Sequence, residues 1–214
     1  MKIKDPGLSE DEINARANEK ARKRKEVRER MLATKTIEKG LLIVHTGKGK
    51  GKSTAAFGLA IRALGNGMKV GIVQFVKGKW STGERVVLEK FPDQVTIRTM
   101  GEGFTWETQD RARDIAAAKA AWAEAQRMIE ACRGPQPAYD LLIFDELNIV
   151  LRYDYLDIAE VVRALSQRPA MTHVVVTGRN AKPELIEAAD LVTEMTEIKH
   201  PFQAGVKAQK GIEF

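Results

Sequence analysis

Residues 41–54 read LLIVHTGKGKGKST, and the order of residue types in this stretch decides the fold. Leu41, Leu42, Ile43 and Val44 form an apolar run suited to a strand buried on both faces. Gly47, Gly49 and Gly51 then alternate with Lys48, Lys50 and Lys52, and Ser53 and Thr54 lead into a helix-forming segment. Strand, glycine-rich loop and helix in immediate succession make a phosphate-binding loop. Glycines let the backbone turn with positive φ and bring N–H groups up to phosphate oxygens, and the helix start adds the positive end of its dipole. Lys52 supplies a point charge for the phosphate chain, and Ser53 a hydroxyl for a phosphate-bound Mg²⁺. The G-x-x-x-x-G-K-[ST] pattern asks for glycine where this chain has Thr46, so the loop from Gly47 is one residue short. The nucleotide-binding candidates are therefore Thr46, Gly47, Lys48, Gly49, Lys50, Gly51, Lys52, Ser53 and Thr54, and the phosphates are expected to sit differently from those of an ordinary NTPase.

A second landmark lies at residues 139–147, YDLLIFDEL. The apolar run Leu141–Phe144 delivers Asp145 and Glu146 to the C-terminal end of a strand, as in a Walker B segment, and open α/β sheets bind ligands at that edge. Asp145, Glu146 and Ser53 are the candidates for holding Mg²⁺ (or Mn²⁺), while Lys52 and Glu146 are the catalytic candidates. Residues 172–177, THVVVT, read as another buried strand leading into Gly178-Arg179, which puts Arg179 at the same edge. The loop at 101–108, GEGFTWET, carries Phe104 and Trp106 between glycines, a pairing suited to a platform for a large planar ligand.

Around these landmarks strands and helices alternate. A helix runs on to Leu64 and stops at Gly65-Asn66-Gly67; apart from the polar entries around it, its run Ala55–Leu64 is almost continuously apolar and is expected to be buried. Met68–Val76, Val95–Met100 and Leu191–Met195 read as strands. Short helices are expected from Thr82 and over Pro183–Ala189, and longer ones over Glu107–Arg133 and Asp157–Arg168. In the first of the long helices Ile115, Ala118, Trp122, Ala125, Ile129 and Cys132 recur every three or four residues as a core face. This pattern predicts a three-layer α/β fold, P-loop NTPase-like and RecA-like, with a mostly parallel sheet of about six strands. Residues 1–39 are expected to form a charged helical arm capped at Ser9, and residues 40–214 the ligand-binding domain.

The chain has a net charge of +6 from 35 Lys and Arg against 29 Asp and Glu. Residues 1–40 hold 12 basic and 8 acidic residues, so this stretch accounts for +4 of it, and the remainder offers little for nucleic acid. A single cysteine, Cys132, forms no intramolecular disulfide and points to a reducing compartment. The first residues, MKIKDPGLSEDE, do not resemble a signal peptide, and no apolar run reaches the roughly 18 residues of a membrane span. A cytoplasmic protein without a membrane partner is expected. His45, His173 and His200 are scattered, without metal-ligand spacing.

The residues alone imply a Mg-nucleotide-binding enzyme or switch, since a phosphate loop does not say which bond breaks. The set TGKGKGKSTAAFG (46–58), VGIVQFVKGKW (70–80), GFTWET (103–108), LLIFDEL (141–147), VVVTGR (174–179) and KHPFQAGVKAQKGIEF (199–214) closely resembles the ATP:corrinoid adenosyltransferases of the P-loop type. The resemblance spans about Gly40 to Phe214. It implies transfer of the 5′-deoxyadenosyl group of ATP to Co(I) of cobalamin or a corrinoid precursor, with triphosphate leaving as one unit. It further implies triphosphate held in the reverse direction, with Lys50, Lys52 and the loop amides stabilising the leaving charge and Ser53 with Asp145 or Glu146 holding Mg²⁺. Phe104 and Trp106 match the family's aromatic loop on the lower corrinoid face, where they would displace the axial ligand. A reduced flavoprotein donor and a homodimer are also implied. A nucleic-acid-dependent P-loop ATPase and a nucleotide switch without turnover remain the alternatives.

Overall fold

The interior strands are short apolar runs, and each is buried on both faces because helices cover the sheet on either side. In the computed structural model, residues 7–76, 82–100 and 110–212 are described. The strands are β1 (Leu42–Thr46), β2 (Val70–Gln74), β3 (Val95–Thr99), β4 (Leu141–Asp145), β5 (His173–Thr177) and β6 (Leu191–Glu194). They form one six-stranded sheet in the order β3-β2-β4-β5-β1-β6, and every pairing is parallel. Every residue of β1, β2 and β4 is buried, whereas the edge strand β6 is exposed throughout. Register aligns Val44 with Val176 and Val192, and Phe144 with Val73 and Val176.

Among the described residues after β1 the helices are α2 (Lys52–Gly65), α3 (Gly83–Leu88), α4 (Arg111–Ala131), α5 (Leu147–Arg152), α6 (Ile158–Ser166) and α7 (Pro183–Ala188), and a 3₁₀ turn spans Pro201–Ala204. Alternation along the strands divides the core in two. Ile43, Ile72, Ile143 and Val175 pack with Ala56, Phe57 and Ala60 of α2 and Leu88 of α3. Leu42, Val44, Phe144, Val174 and Val176 pack with α4, α5, α6 and α7. On that face Phe144 is the hub, with Trp122 and Phe75 edge-on to its ring at 6.3 and 6.4 Å.

The architecture is the expected α/β one, with differences in detail. The helix read from Glu107 starts at Arg111, capped by Asp110, whose carboxylate accepts the Arg113 N–H at 3.1 Å; residues 107–109 lie outside the described residues. Helix α2 is less thoroughly buried than its apolar sequence suggests, since Ile61 is 55% exposed on its outer side. Helix α5 was not anticipated, because its six residues show no full turn of amphipathic period.

Residues 1–38 group separately from 39–214. Within the first group α1 (Glu10–Ala33) is a single helix closed by a capping box, in which Ser9 Oγ accepts from Glu12 N–H and the Glu12 carboxylate accepts from Ser9 N–H. None of its residues is buried, and its sides carry i,i+4 pairs such as Glu19–Lys23 at 2.7 Å.

Candidate active site at the carboxyl edge of the sheet

Every strand ends in a polar residue at the same edge: Thr46, Gln74, Thr99, Asp145, Thr177 and Glu194. Four of these, Thr46, Gln74, Asp145 and Thr177, are buried, so their polar atoms must find partners in the protein or a ligand. The phosphate loop fills the space between β1 and α2. Gly47 and Gly51 have φ of 95° and 104°, and Gly51 caps α2 without a side-chain hydrogen bond, leaving first-turn N–H groups for an anion. The loop is pinned to the strand beside it: Gly49 N–H donates to Met195 O at 2.7 Å, and Met195 N–H to Thr46 O at 2.9 Å. A Cβ on Gly47 would lie 2.3 Å from Met195 O, and one on Gly49 2.7 Å from the Thr196 carbonyl, so the close approach demands glycine.

The structure gives Thr46 a reason to replace the usual glycine. Its hydroxyl accepts the Ala181 N–H at 3.0 Å, bracing the segment that follows β5. Thr46 also lines a cavity of about 830 Å³ with Gly47, Lys48, Arg152, Arg179 and Asn180. Lys48, Lys50 and Thr54 are exposed, and Arg179 stands exposed just past Gly178.

Lys52 is only 7% exposed, and its ammonium donates to Gly49 O within the loop. Burial pushes its pKa below the ordinary lysine value; Glu146 pulls it back up and Arg179 lowers it further. Both candidates at the ends of β4 and β5 thus act electrostatically on the loop lysine.

Asp145 is fully buried and accepts hydrogen bonds from three side chains. Its Oδ1 accepts from Ser53 Oγ at 2.7 Å and from Thr177 Oγ1 at 2.8 Å, while its Oδ2 accepts from Gln74 Nε2 at 3.3 Å. Glu146 sits next to it at φ 64°, an unusual backbone state for a side chain of this size, and its N–H donates to Thr177 Oγ1 at 2.9 Å. Asn148 completes the corner: its amide donates to Gly178 O at 3.0 Å, fixing the turn that presents Arg179. Thr177, Gln74 and Asn148 were missed from the sequence. For Gln74 and Thr177 the available signal was a polar residue closing an otherwise apolar strand; Asn148, inside α5, offered none.

One hydroxyl and one carboxylate within 2.7 Å of each other, beside a phosphate cradle, suit Mg²⁺, which takes few protein oxygens and completes its shell with phosphate and water. Among the described residues no group of three or more His, Cys, Asp or Glu is placed to hold a metal ion by itself. Phe104 and Trp106 lie outside the described residues.

The model of the family "ATP:corrinoid adenosyltransferase BtuR/CobO/CobP" matches residues 38–214. The chain belongs to this family of corrinoid adenosyltransferases. A corrinoid adenosyltransferase of Sinorhizobium sp is 58% identical over 203 residues, covering 94% of this chain and 92% of its own length. Another from Pseudomonas aeruginosa is 53% identical, covering 95% and 98%. Among solved structures, the flagellar accessory protein FlaH of Methanocaldococcus jannaschii aligns over 75% of this chain and 73% of its own, at 12% identity and a TM-score of 0.44. Family membership brings the transferase class and the pairing of ATP with a corrinoid, and it does not favour the nucleic-acid-dependent ATPase reading. No helix among the described residues is long and apolar enough to cross a membrane.

Proposed function

We propose that residues 40–214 transfer the 5′-deoxyadenosyl group of ATP to Co(I) of cobalamin or a corrinoid precursor. The electron pair of Co(I) forms the bond to C5′, the C5′–O bond breaks, and triphosphate leaves with that bond's electrons. The observation that carries the reading is the cluster of Ser53, Asp145 and Thr177 against the phosphate loop, in a chain of this family. Gly47, Gly49 and Gly51 bring backbone N–H groups to the triphosphate; Lys48, Lys50, Lys52, Thr54 and Arg179 add donors around it. Lys52, low in pKa through burial yet beside Glu146, carries its charge where the leaving group's charge builds up. Ser53 and Asp145, with Glu146 adjacent, would hold Mg²⁺ or Mn²⁺. When bound, the metal would neutralise phosphate charge and so favour departure of the triphosphate.

Phe104 and Trp106 are proposed to occupy the lower face of the corrinoid, offering no lone pair to cobalt. Loss of that axial ligand makes Co(II) easier to reduce, and a reduced flavoprotein is the proposed electron source. A homodimer, a cytoplasmic setting and an arm over residues 1–39 complete the reading.

An anaerobic assay with pre-reduced cob(I)alamin and Mg-ATP tests it. The expected result is a light-sensitive cobalt–carbon product with one triphosphate per turnover, and a loss of at least about a hundredfold in Lys52→Met. Release of orthophosphate and ADP without a cobalt–carbon bond would overturn it.

A further inference from the structure

Asp145 is held from its far side by a chain of hydrogen bonds that runs across two strands. Arg85, in α3, donates through Nε to Glu89 at 2.6 Å and through Nη1 to Thr99 Oγ1 at 3.0 Å. Thr99 Oγ1 donates in turn to Gln74 Oε1 at 3.0 Å, and Gln74 Nε2 donates to Asp145 Oδ2 at 3.3 Å. The direction of this chain is fixed by counting protons. A guanidinium only donates, so the single hydroxyl proton of Thr99 is left for Gln74. Gln74 must then turn its carbonyl to Thr99 and its amide NH₂ to the carboxylate. A reversed glutamine would set its carbonyl oxygen against the Asp145 carboxylate and its NH₂ against the Thr99 hydroxyl proton.

We infer that Gln74 and Thr99 are positioning residues for the carboxylate of Asp145, with Arg85 setting their polarity. Gln74 is buried at the end of β2, and β2 lies beside β4 in register, Gln74 opposite Asp145. Its amide holds Oδ2 and leaves Oδ1 turned toward Ser53 and Thr177. Ser53 and Thr177 hold one oxygen and Gln74 the other, so the plane of the carboxylate is fixed from both sides. The inference rests on the proposal that Asp145 holds the metal, and it adds the residues that aim it.

The test is calorimetric, on the full chain without corrinoid. ATP affinity is measured with Mn²⁺ and again in EDTA, and the ratio reports the metal's contribution. Gln74→Leu is expected to lower that ratio about tenfold, within the range known for partners of metal ligands. Thr99→Val, a nearly isosteric change on an edge strand, should lower it in the same direction, and Thr99→Ser should restore it. ATP affinity in EDTA should be unchanged in all three. An unchanged ratio in Gln74→Leu and Thr99→Val, with only a lower melting temperature, would reduce these residues to structural ones and overturn the inference. Asp145→Asn separates the two levels. If it collapses the ratio while Thr99→Val does not, the relay fails and the metal reading stands. If Asp145→Asn leaves the ratio intact, the metal reading fails first.

Discussion

Replacing Thr177 with valine keeps the shape of a fully buried side chain and deletes one hydroxyl. That hydroxyl donates to Asp145 Oδ1 at 2.8 Å and accepts the Glu146 N–H at 2.9 Å. A hydrogen bond to a carboxylate contributes about 1.5–2 kcal/mol, and a buried backbone N–H that loses its acceptor costs about 1–2 kcal/mol. Both bonds share one oxygen, so their costs couple, and about 3 kcal/mol is the expected loss. For a chain of this length each kcal/mol moves the melting temperature by about 2–4 °C, which gives a fall of about 6–12 °C. Urea unfolding should show the midpoint falling at constant m-value. Thr177→Ser keeps the oxygen and loses a methyl, for about 1 kcal/mol. Because the same oxygen holds Glu146 at φ 64°, the valine variant should also turn over more slowly, and the serine variant should not. A valine variant as stable as the parent, or a serine variant equally damaged, would refute the reasoning.

Gly47→Ala combines φ of 95° with a Cβ 2.3 Å from Met195 O, and calorimetry should find ATP binding lost; parental affinity would mean that β6 does not press on the loop. Phe104→Ala and Trp106→Ala should slow adenosylation from Co(II) with a reductant far more than from pre-reduced Co(I), by stopped-flow absorbance; equal losses on both routes would remove the axial-ligand role. His45 is buried with neither ring nitrogen hydrogen-bonded among the described residues, and burial lowers its pKa from 6.5. Between the lowered native value and about 6.5 the unfolded chain binds more protons, so this contribution to stability is complete above about pH 6.5 and is lost as pH falls through the native value. His45→Leu should therefore flatten the fall in urea midpoint between pH 7.5 and 5.5, and parallel profiles for the two proteins would count against it.

The fold was legible because its signals were local and redundant. The runs at 41–44, 70–73, 141–144 and 174–176 are short, apolar at consecutive positions and rich in β-branched residues, as strands covered on both faces are. The glycine loop and the Asp145-Glu146 end were legible for the same reason, since their chemistry lies in contiguous residues. Gln74, Thr177 and Asn148 were not, because each acts through a partner at least 30 residues away and carries no sequence motif of its own. Thr46 looked like a departure from a pattern until its hydroxyl was found against Ala181 N–H. Helix α5 escaped because a six-residue element, preceded by a left-handed Glu146, has too few positions for a period to show.

Strand order explains why Thr177 is needed at all. The loop strand β1 and the acidic strand β4 are not neighbours; β5 lies between them. With neighbouring strands about 4.8 Å apart, the ends of β1 and β4 stand roughly 10 Å from each other, too far for a direct contact between strand-end side chains. Two devices close that gap. Helix α2 carries Ser53 over the sheet edge to Asp145, and the intervening strand supplies Thr177 underneath, bonded to the same Oδ1. An apolar residue at 177 would leave the floor of the gap without a donor, and Asp145 Oδ1 would lean on Ser53, the hydroxyl proposed above to turn toward a metal. If Ser53 turns toward a metal as proposed, Thr177 keeps a hydrogen bond on Asp145 Oδ1. A hydroxyl on the middle strand is thus the consequence of placing a strand between the phosphate loop and its carboxylate.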